Sequence, residues 1–148
     1  MSSAMKDRIA RVLILLFSLC GIGLSIASLR SHYATSATDY CDLNEVFNCD
    51  IVNRSKFSEA FGIPVALIGL IGYLVLLGLT AKKVRALEIL RSYMSLGGLM
   101  FALYLAYIEE HVLRTWCLLC IGSLIAIAGI TIVSAVGLWD SGRKGTAK

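Results

Sequence analysis

Charge and proline are what this sequence is short of. Only 16% of its 148 residues are Asp, Glu, Lys or Arg, and a single proline, Pro64, interrupts the whole chain. An ordinary soluble domain carries about a quarter charged residues and about 5% proline, so the soluble globular class is excluded at the outset. Hydrophobic residues fill the gap at 57%. The composition is that of an integral membrane protein. The net charge of +4 does not call for a nucleic-acid partner, because it resides in the segments assigned below to the face of anionic lipid.

Four stretches lack Asp, Glu, Lys and Arg altogether: Val12 to Leu29, Phe61 to Ala81, Ser92 to Ile108 and Thr115 to Trp139. A helix needs about 17 to 25 such residues to cross the hydrocarbon core. The third, with 17, is the shortest; Arg91 can snorkel at one end and Glu109 bounds the other. The pattern predicts an all-α membrane protein: a four-transmembrane-helix bundle with spans at about 9–29, 61–81, 89–110 and 116–139. A cleaved signal peptide is the alternative for the first span, with Lys6, Arg8 and Arg11 as its basic region and Ala34 to Ala37 as a cleavage site. Its apolar run is longer than the 7 to 15 residues or so of a signal core.

Lys and Arg set the expected orientation. Ten of them precede span 1, join spans 2 and 3, or follow span 4; only four, Arg30, Arg54, Lys56 and Arg114, lie in the other two connections. Both termini are therefore expected in the cytoplasm. The long loop 30–60 and the short turn before span 4 then lie outside, and the long loop is the acidic one, with Asp39, Asp42, Glu45, Asp50 and Glu59. The expected location is a cell (inner) membrane with the site on the periplasmic or other extracytoplasmic side, or an ER membrane with a lumenal site in a eukaryote. Small residues four apart, Gly98, Ala102 and Ala106, Gly21 and Ser25, Gly122 and Ala126, read as helix-packing stripes.

Against this background the five cysteines stand out. Cys41 and Cys49 fall in the long loop, Cys117 and Cys120 open span 4, and Cys20 lies inside span 1, where it reads as a small core residue. An oxidising outer compartment favours disulfides, and Cys41 and Cys49 can close a small loop. Cys117 and Cys120 share one face of a helix N-terminus, where the dipole favours a thiolate, with Cys120 deeper by about 4.5 Å. Depth suggests an order: a loop dithiol that soluble proteins can reach, then Cys117, then Cys120. Structural disulfides in a non-catalytic protein are the competing reading. A zinc site fits less well, because the seven-residue gap in the loop is not the usual ligand spacing.

The string CDLNEVFNCDIVNRSKFSEAFGIP, a following span rich in small residues, ALYLAY in span 3 and WCLLC opening span 4 together resemble the vitamin K epoxide reductase family. The resemblance runs from about Gly21 to Ile132. It implies a membrane enzyme that couples thiol oxidation to reduction of a quinone, of the ubiquinone, menaquinone or vitamin K type, with no metal. By the same resemblance Cys41 exchanges with a thioredoxin-fold partner, Cys49 relays to Cys117, and Cys120 meets the quinone. Ser55 matches a family serine or threonine placed near the quinone, although by itself it reads as a helix cap or turn residue. The stretch Arg54 to Ala60 resembles a short capping helix in the outer loop, with Phe57 and Phe61 roofing an apolar pocket. Leu105, Trp116 and Leu124 are candidates for its wall, with plain packing as the other reading.

Two departures from the animal enzymes favour a bacterial-type member, a functional counterpart of the DsbB proteins. Leu124 stands where those enzymes carry a tyrosine, and GIPVALIGLIGYLVLLG lacks their quinone-binding asparagine. No fused thioredoxin domain is expected, since only DSGRKGTAK follows Trp139. The implied partner is a separate DsbA-like, thioredoxin-fold chain on the outer side, and the other partner is the lipid bilayer. A vitamin K epoxide reductase proper remains an alternative function.

Overall fold

A computed structural model describes residues 3–36, 41, 44 and 46–145. Four long helices account for most of them: α1 (Ser3–Tyr33), α3 (Val65–Thr80), α4 (Arg85–Ile108) and α5 (Leu118–Gly145), with a short α2 (Cys49–Asn53) between the first two. Three segments, Ala4–Tyr33, Arg85–Leu113 and Leu118–Arg143, are long and apolar enough to cross a membrane. The 16 residues of α3 rise only about 24 Å, short of the roughly 30 Å apolar core. Many apolar side chains on the helices face outward, among them Leu16, Met100, Ile125 and Ile132. In water such a surface would aggregate; in lipid it is the solvated face. The chain is a membrane protein.

Helix α3 starts four residues later than the charge-free run implies. Glu59–Ala60 (β1) and Ile63–Pro64 (β2) pair antiparallel, with Glu59 opposite Pro64 and Ala60 opposite Ile63. The two residues between them, Phe61 and Gly62, have φ of 56° and 77°, the left-handed pair that closes a two-residue hairpin. Pro64, extended at φ −56° and ψ 128°, then leads into the helix. It disfavours helical geometry in the residue before it, so the helix cannot begin earlier.

The helices form a ring in which α1 packs on α3 and α5, and α4 closes against the same two. The inner face of α1 reads Ile14, Ser18, Gly21, Ser25, Ser28, Ser31, all buried, with the alternating three- and four-residue steps of one helix face. Its small residues allow close approach. A Cβ on Gly21 would overlap the ring of Tyr73 on α3, and one on Gly122 of α5 would press on Leu24 of α1. The stripes read from the sequence are thus real contact lines. The apolar core is Ile14, Tyr73, Leu76, Ala126, Ile127 and Ile130.

Cys20 is a correction. It is exposed on the outside of α1, because it follows the lipid-facing Leu19 and not the small-residue face.

Candidate redox site

At one end of the ring a second buried cluster forms around sulfur: Cys41, Cys49, Val52 and Cys117, with Leu113, Leu119 and Cys120 packed against it. Backbone pairing builds it. The Trp116 N–H donates to the Val46 carbonyl at 2.7 Å and the Asn48 N–H to the Trp116 carbonyl at 3.1 Å, a one-residue parallel bridge between Phe47 and Trp116. Each partner strand of this clamp runs directly into a cysteine. Asn48 caps α2 by accepting the Ile51 N–H at 2.9 Å, which puts Cys49 at the first helical position. Cys117 stands just before α5, its carbonyl accepting the Ile121 N–H at 2.9 Å.

The cysteines are brought together accordingly. Cys41 and Cys49 form a disulfide; Cys117 and Cys120 are free thiols. The sulfurs of Cys117 and Cys49, 68 residues apart in sequence, lie 3.4 Å from one another. All three sulfurs of Cys41, Cys49 and Cys117 fall within 4.8 Å. Two of them are already bonded to each other, and a closed zinc site needs four thiolate or imidazole donors. The group is a redox cluster, with a thiol resting against a disulfide in the pose from which exchange starts.

The Cys117 sulfur sits where a capping oxygen would, accepting the Cys120 N–H at 3.4 Å and facing the Asn53 amide at 3.7 Å. Hydrogen bonding from Cys120 holds this thiol below its usual pKa, against burial and the nearby Glu109 carboxylate, which act the other way. The dithiol at a helix N-terminus is therefore as the sequence implied.

Preceding it is an unusual turn. Past Ile108 the chain widens into a five-residue π-turn, Glu109–Leu113, that ends on Arg114 in the left-handed region at φ 51°. The Glu109 carbonyl takes the N–H groups of Arg114 and of Thr115. Its carboxylate turns inward, 3% exposed, and accepts the Cys117 N–H through Oε2 at 3.0 Å. Such widened turns recur at functional sites.

On the other side α2 is moored to α1. Ser31 Oγ donates to Asp50, the Arg54 guanidinium lies 3.6 Å from the same carboxylate, and Arg54 also donates to the Ser31 and Ser36 carbonyls at 3.3 and 2.8 Å. His32 Nδ1 donates to the Asn53 carbonyl at 2.6 Å, and its Nε2 lies 3.4 Å from Glu59.

Beneath the cluster the ring encloses a cavity of about 330 Å³, within the range of small-ligand pockets. Cys120, Ser55, Phe57, Leu105 and Leu124 line it, together with Glu109, His32, Tyr73 and Ser123. Tyr73 Oη donates to the Ser123 carbonyl at 2.8 Å. Ser55 occupies the cap position of a 3₁₀ turn, Lys56–Ser58, yet makes no capping bond; its hydroxyl donates to the Val52 carbonyl at 2.8 Å.

Several expectations need correction. Phe61 does not roof the cavity: the hairpin turn throws it fully outward. Trp116 serves as a backbone clamp and is not part of the wall. The capping helix is α2 at Cys49–Asn53, and the stretch Arg54 to Ala60 holds only a 3₁₀ turn and a strand, because Ser55 and Ser58 bond back to carbonyls three residues earlier. Cys41 and Cys49 are not presented to solvent; both are buried, at 1% and 0% exposure.

The sequence reading missed Glu109, Asn53 and Asp50. The sequence does carry a signal for Glu109, an acid at the end of an apolar span eight residues before a C-x-x-C, although by pattern alone it reads as a span boundary. Asn53 and Asp50 matter only through contacts with distant segments.

Known proteins resemble this sequence. The model of the family described as "Vitamin K epoxide reductase family" matches residues 12–135. "Vitamin K epoxide reductase complex subunit 1" of Rattus norvegicus is 29% identical over 136 residues, covering 78% of this chain and 83% of the rat protein. The matched region takes in every cysteine of the redox cluster and the cavity below it, so the chain is a membrane oxidoreductase of the vitamin K epoxide reductase family.

Proposed function

We propose that this protein is a thiol:quinone oxidoreductase that re-oxidises a separate thioredoxin-fold protein and so supports disulfide formation. The observation that carries the reading is the 3.4 Å approach of the Cys49 and Cys117 sulfurs, with Cys120 one helical turn further on at the cavity wall. The partner's dithiolate attacks Cys41 of the Cys41–Cys49 disulfide and, through a mixed disulfide, leaves oxidised. Cys49 then attacks Cys117 of an oxidised Cys117–Cys120 pair, and Cys41 displaces it to restore the loop disulfide. The reduced helix pair passes two electrons to a quinone held in the cavity. Because Cys41 is buried in the resting arrangement, exchange with a folded partner requires its exposure.

The driving force lies with the two ends. A DsbA-like partner near −120 mV is about 150 mV more oxidising than thioredoxin, or roughly 7 kcal/mol for two electrons, so its re-oxidation needs a sink such as a membrane quinone. Leu124 in the cavity wall and the absence of asparagine from α3 weigh toward a quinone and against an epoxide as substrate.

The reading includes four membrane crossings, with α3 as the second, both termini cytoplasmic and the sulfur cluster on the opposite face. A reporter fused at Lys83 should be active only as a cytoplasmic one.

The direct test is quinone reduction by the purified protein with dithiothreitol, using a ubiquinone, a menaquinone and vitamin K epoxide in parallel. Reduction of a quinone matched by dithiol consumed is expected. Inertness to all three acceptors, with disulfides that resist the reductant, would return the cysteines to a structural role.

A further inference from the structure

The redox chemistry moves protons as well as electrons, and one buried group near the sulfurs is suited to carry them. Glu109 is 3% exposed. Arg54 lies within salt-bridge distance of Asp50 and His32 stands beside Glu59, whereas no Lys or Arg among the described residues is seen paired with Glu109. A buried acid without a counter-charge is costly, and within a membrane-embedded bundle it marks function by default. Asp50 at the same end shows the structural alternative, a carboxylate neutralised by Arg54 and hydrogen-bonded by Ser31.

Two observations define the position of Glu109. Its Oε2 accepts the Cys117 N–H at 3.0 Å. It also lines the cavity alongside Cys120. The other charged groups of its turn, Glu110 and Arg114, and the ionisable His111 are all exposed, which leaves Cys117 beside the Glu109 carboxylate and Cys120, His32 and Tyr73 as the ionisable groups on the cavity wall it shares.

We propose that Glu109 is the proton carrier of the quinone step, taking the proton of Cys120 and delivering it to the reduced ring. This rests on the thiol:quinone reading above. The helix dithiol and the quinone become the Cys117–Cys120 disulfide and the hydroquinone: two S–H bonds break, one S–S bond and two O–H bonds form, and two electrons pass from sulfur to the ring. The Cys120 proton moves to the Glu109 carboxylate as that sulfur reacts and from there to a quinone oxygen. The Cys117 proton goes to water, and the second proton of the hydroquinone is drawn from water. The carboxylate thus returns to its starting state each turnover, without a separated charge pair left in the apolar cavity.

The bland alternative is that Glu109 merely ties down the Cys117 backbone. Glutamine separates the two, since its amide oxygen still accepts the Cys117 N–H but cannot take a proton. Glu109→Gln should slow dithiothreitol-driven reduction of a short-chain ubiquinone by about 10²-fold at neutral pH. The wild-type rate should fall toward acid pH as Glu109 protonates. In the glutamine variant that acid limb should vanish and the rate should climb toward alkaline pH as Cys120 ionises unaided. The Cys49–Cys117 cross-link, trapped in a Cys120→Ser background, should still form in the variant, because that exchange passes no proton to the quinone. Glu109→Asp, which keeps the acid, should keep the acid limb, and it carries the same test should the glutamine variant fail to assemble. A wild-type rate and profile in Glu109→Gln overturns the proposal, as does a loss of equal size at every pH. Failure of the unsubstituted protein to reduce any quinone would instead overturn the thiol:quinone reading itself.

Discussion

The two buried clusters of this molecule are built on opposite principles. The bundle core around Ile14, Tyr73, Leu76 and Ile130 is apolar, made from helix faces whose periodicity is written into each segment. The sulfur cluster around Cys41, Cys49 and Cys117 is assembled from the short helix α2 and pieces of chain outside the long helices. It is held by the Trp116 clamp, the capped start of α2 and charged ties at Asp50 and Glu109. The bundle supplies a container, and the cap supplies reactive groups at defined distances. Damage to the first should therefore cost stability, and damage to the second should cost electron transfer.

The largest test of that division is the cysteine series. Cys117→Ser and Cys120→Ser should abolish quinone reduction from every thiol source, because no dithiol is left beside the cavity. Cys41→Ser and Cys49→Ser should abolish oxidation of a protein thiol while dithiothreitol still drives quinone reduction through the helix pair. Cys49→Ser should also trap Cys41 in a mixed disulfide with the partner, since the resolving thiolate is missing. Full activity with a protein thiol in all four variants would dissolve the distinction between cap and container.

Next in size is the mooring of α2. Asp50→Ala leaves the buried hydroxyl of Ser31 without its acceptor and removes a charge partner of Arg54, at a cost of about 1 to 3 kcal/mol. The loss should appear as slower Cys49–Cys117 cross-linking at a nearly normal bundle melting temperature. If melting falls and cross-linking does not, the tie belongs to the container. Gly21→Ala is the mirror image. Its methyl would overlap the Tyr73 ring and should destabilise the bundle by about 1 to 3 kcal/mol through overpacking, with cysteine exchange in the folded fraction intact.

Ser55→Ala sits on the border between the regions. Its hydroxyl proton is committed to the Val52 carbonyl, so it can serve a quinone oxygen only by releasing that bond. An effect on quinone KM of about 2- to 13-fold, the worth of about 0.5 to 1.5 kcal/mol for one hydrogen bond, would place it in the quinone site; unchanged quinone kinetics would leave it a turn residue. Cys20→Ser, on the outer face of α1, should change neither melting nor turnover, and it serves as the control for the whole series.

What the sequence by itself determined is the part governed by local pattern. Charge-free runs and small-residue spacing identify the membrane helices and their contact faces, because burial in lipid and close helix approach each impose a periodicity on a single segment. The C-x-x-C at a helix start likewise carries its own chemistry in the helix dipole and the local N–H groups. Even there the reading faltered where a side chain's direction mattered. Cys20 lies in an apolar run whether it faces lipid or core, and Phe61 lies in one although a left-handed hairpin turns it outward. Only the tertiary structure decided which sulfur meets which, that Trp116 is a clamp, that Asp50 is neutralised and that Glu109 is buried against the thiols. Those facts depend on contacts between residues as distant as Val46 and Trp116, 70 apart in sequence, and no local periodicity encodes them: a buried carboxylate and a solvated one read the same in sequence, and only the neighbours brought by folding separate an acid that ends a helix from one poised to carry a proton.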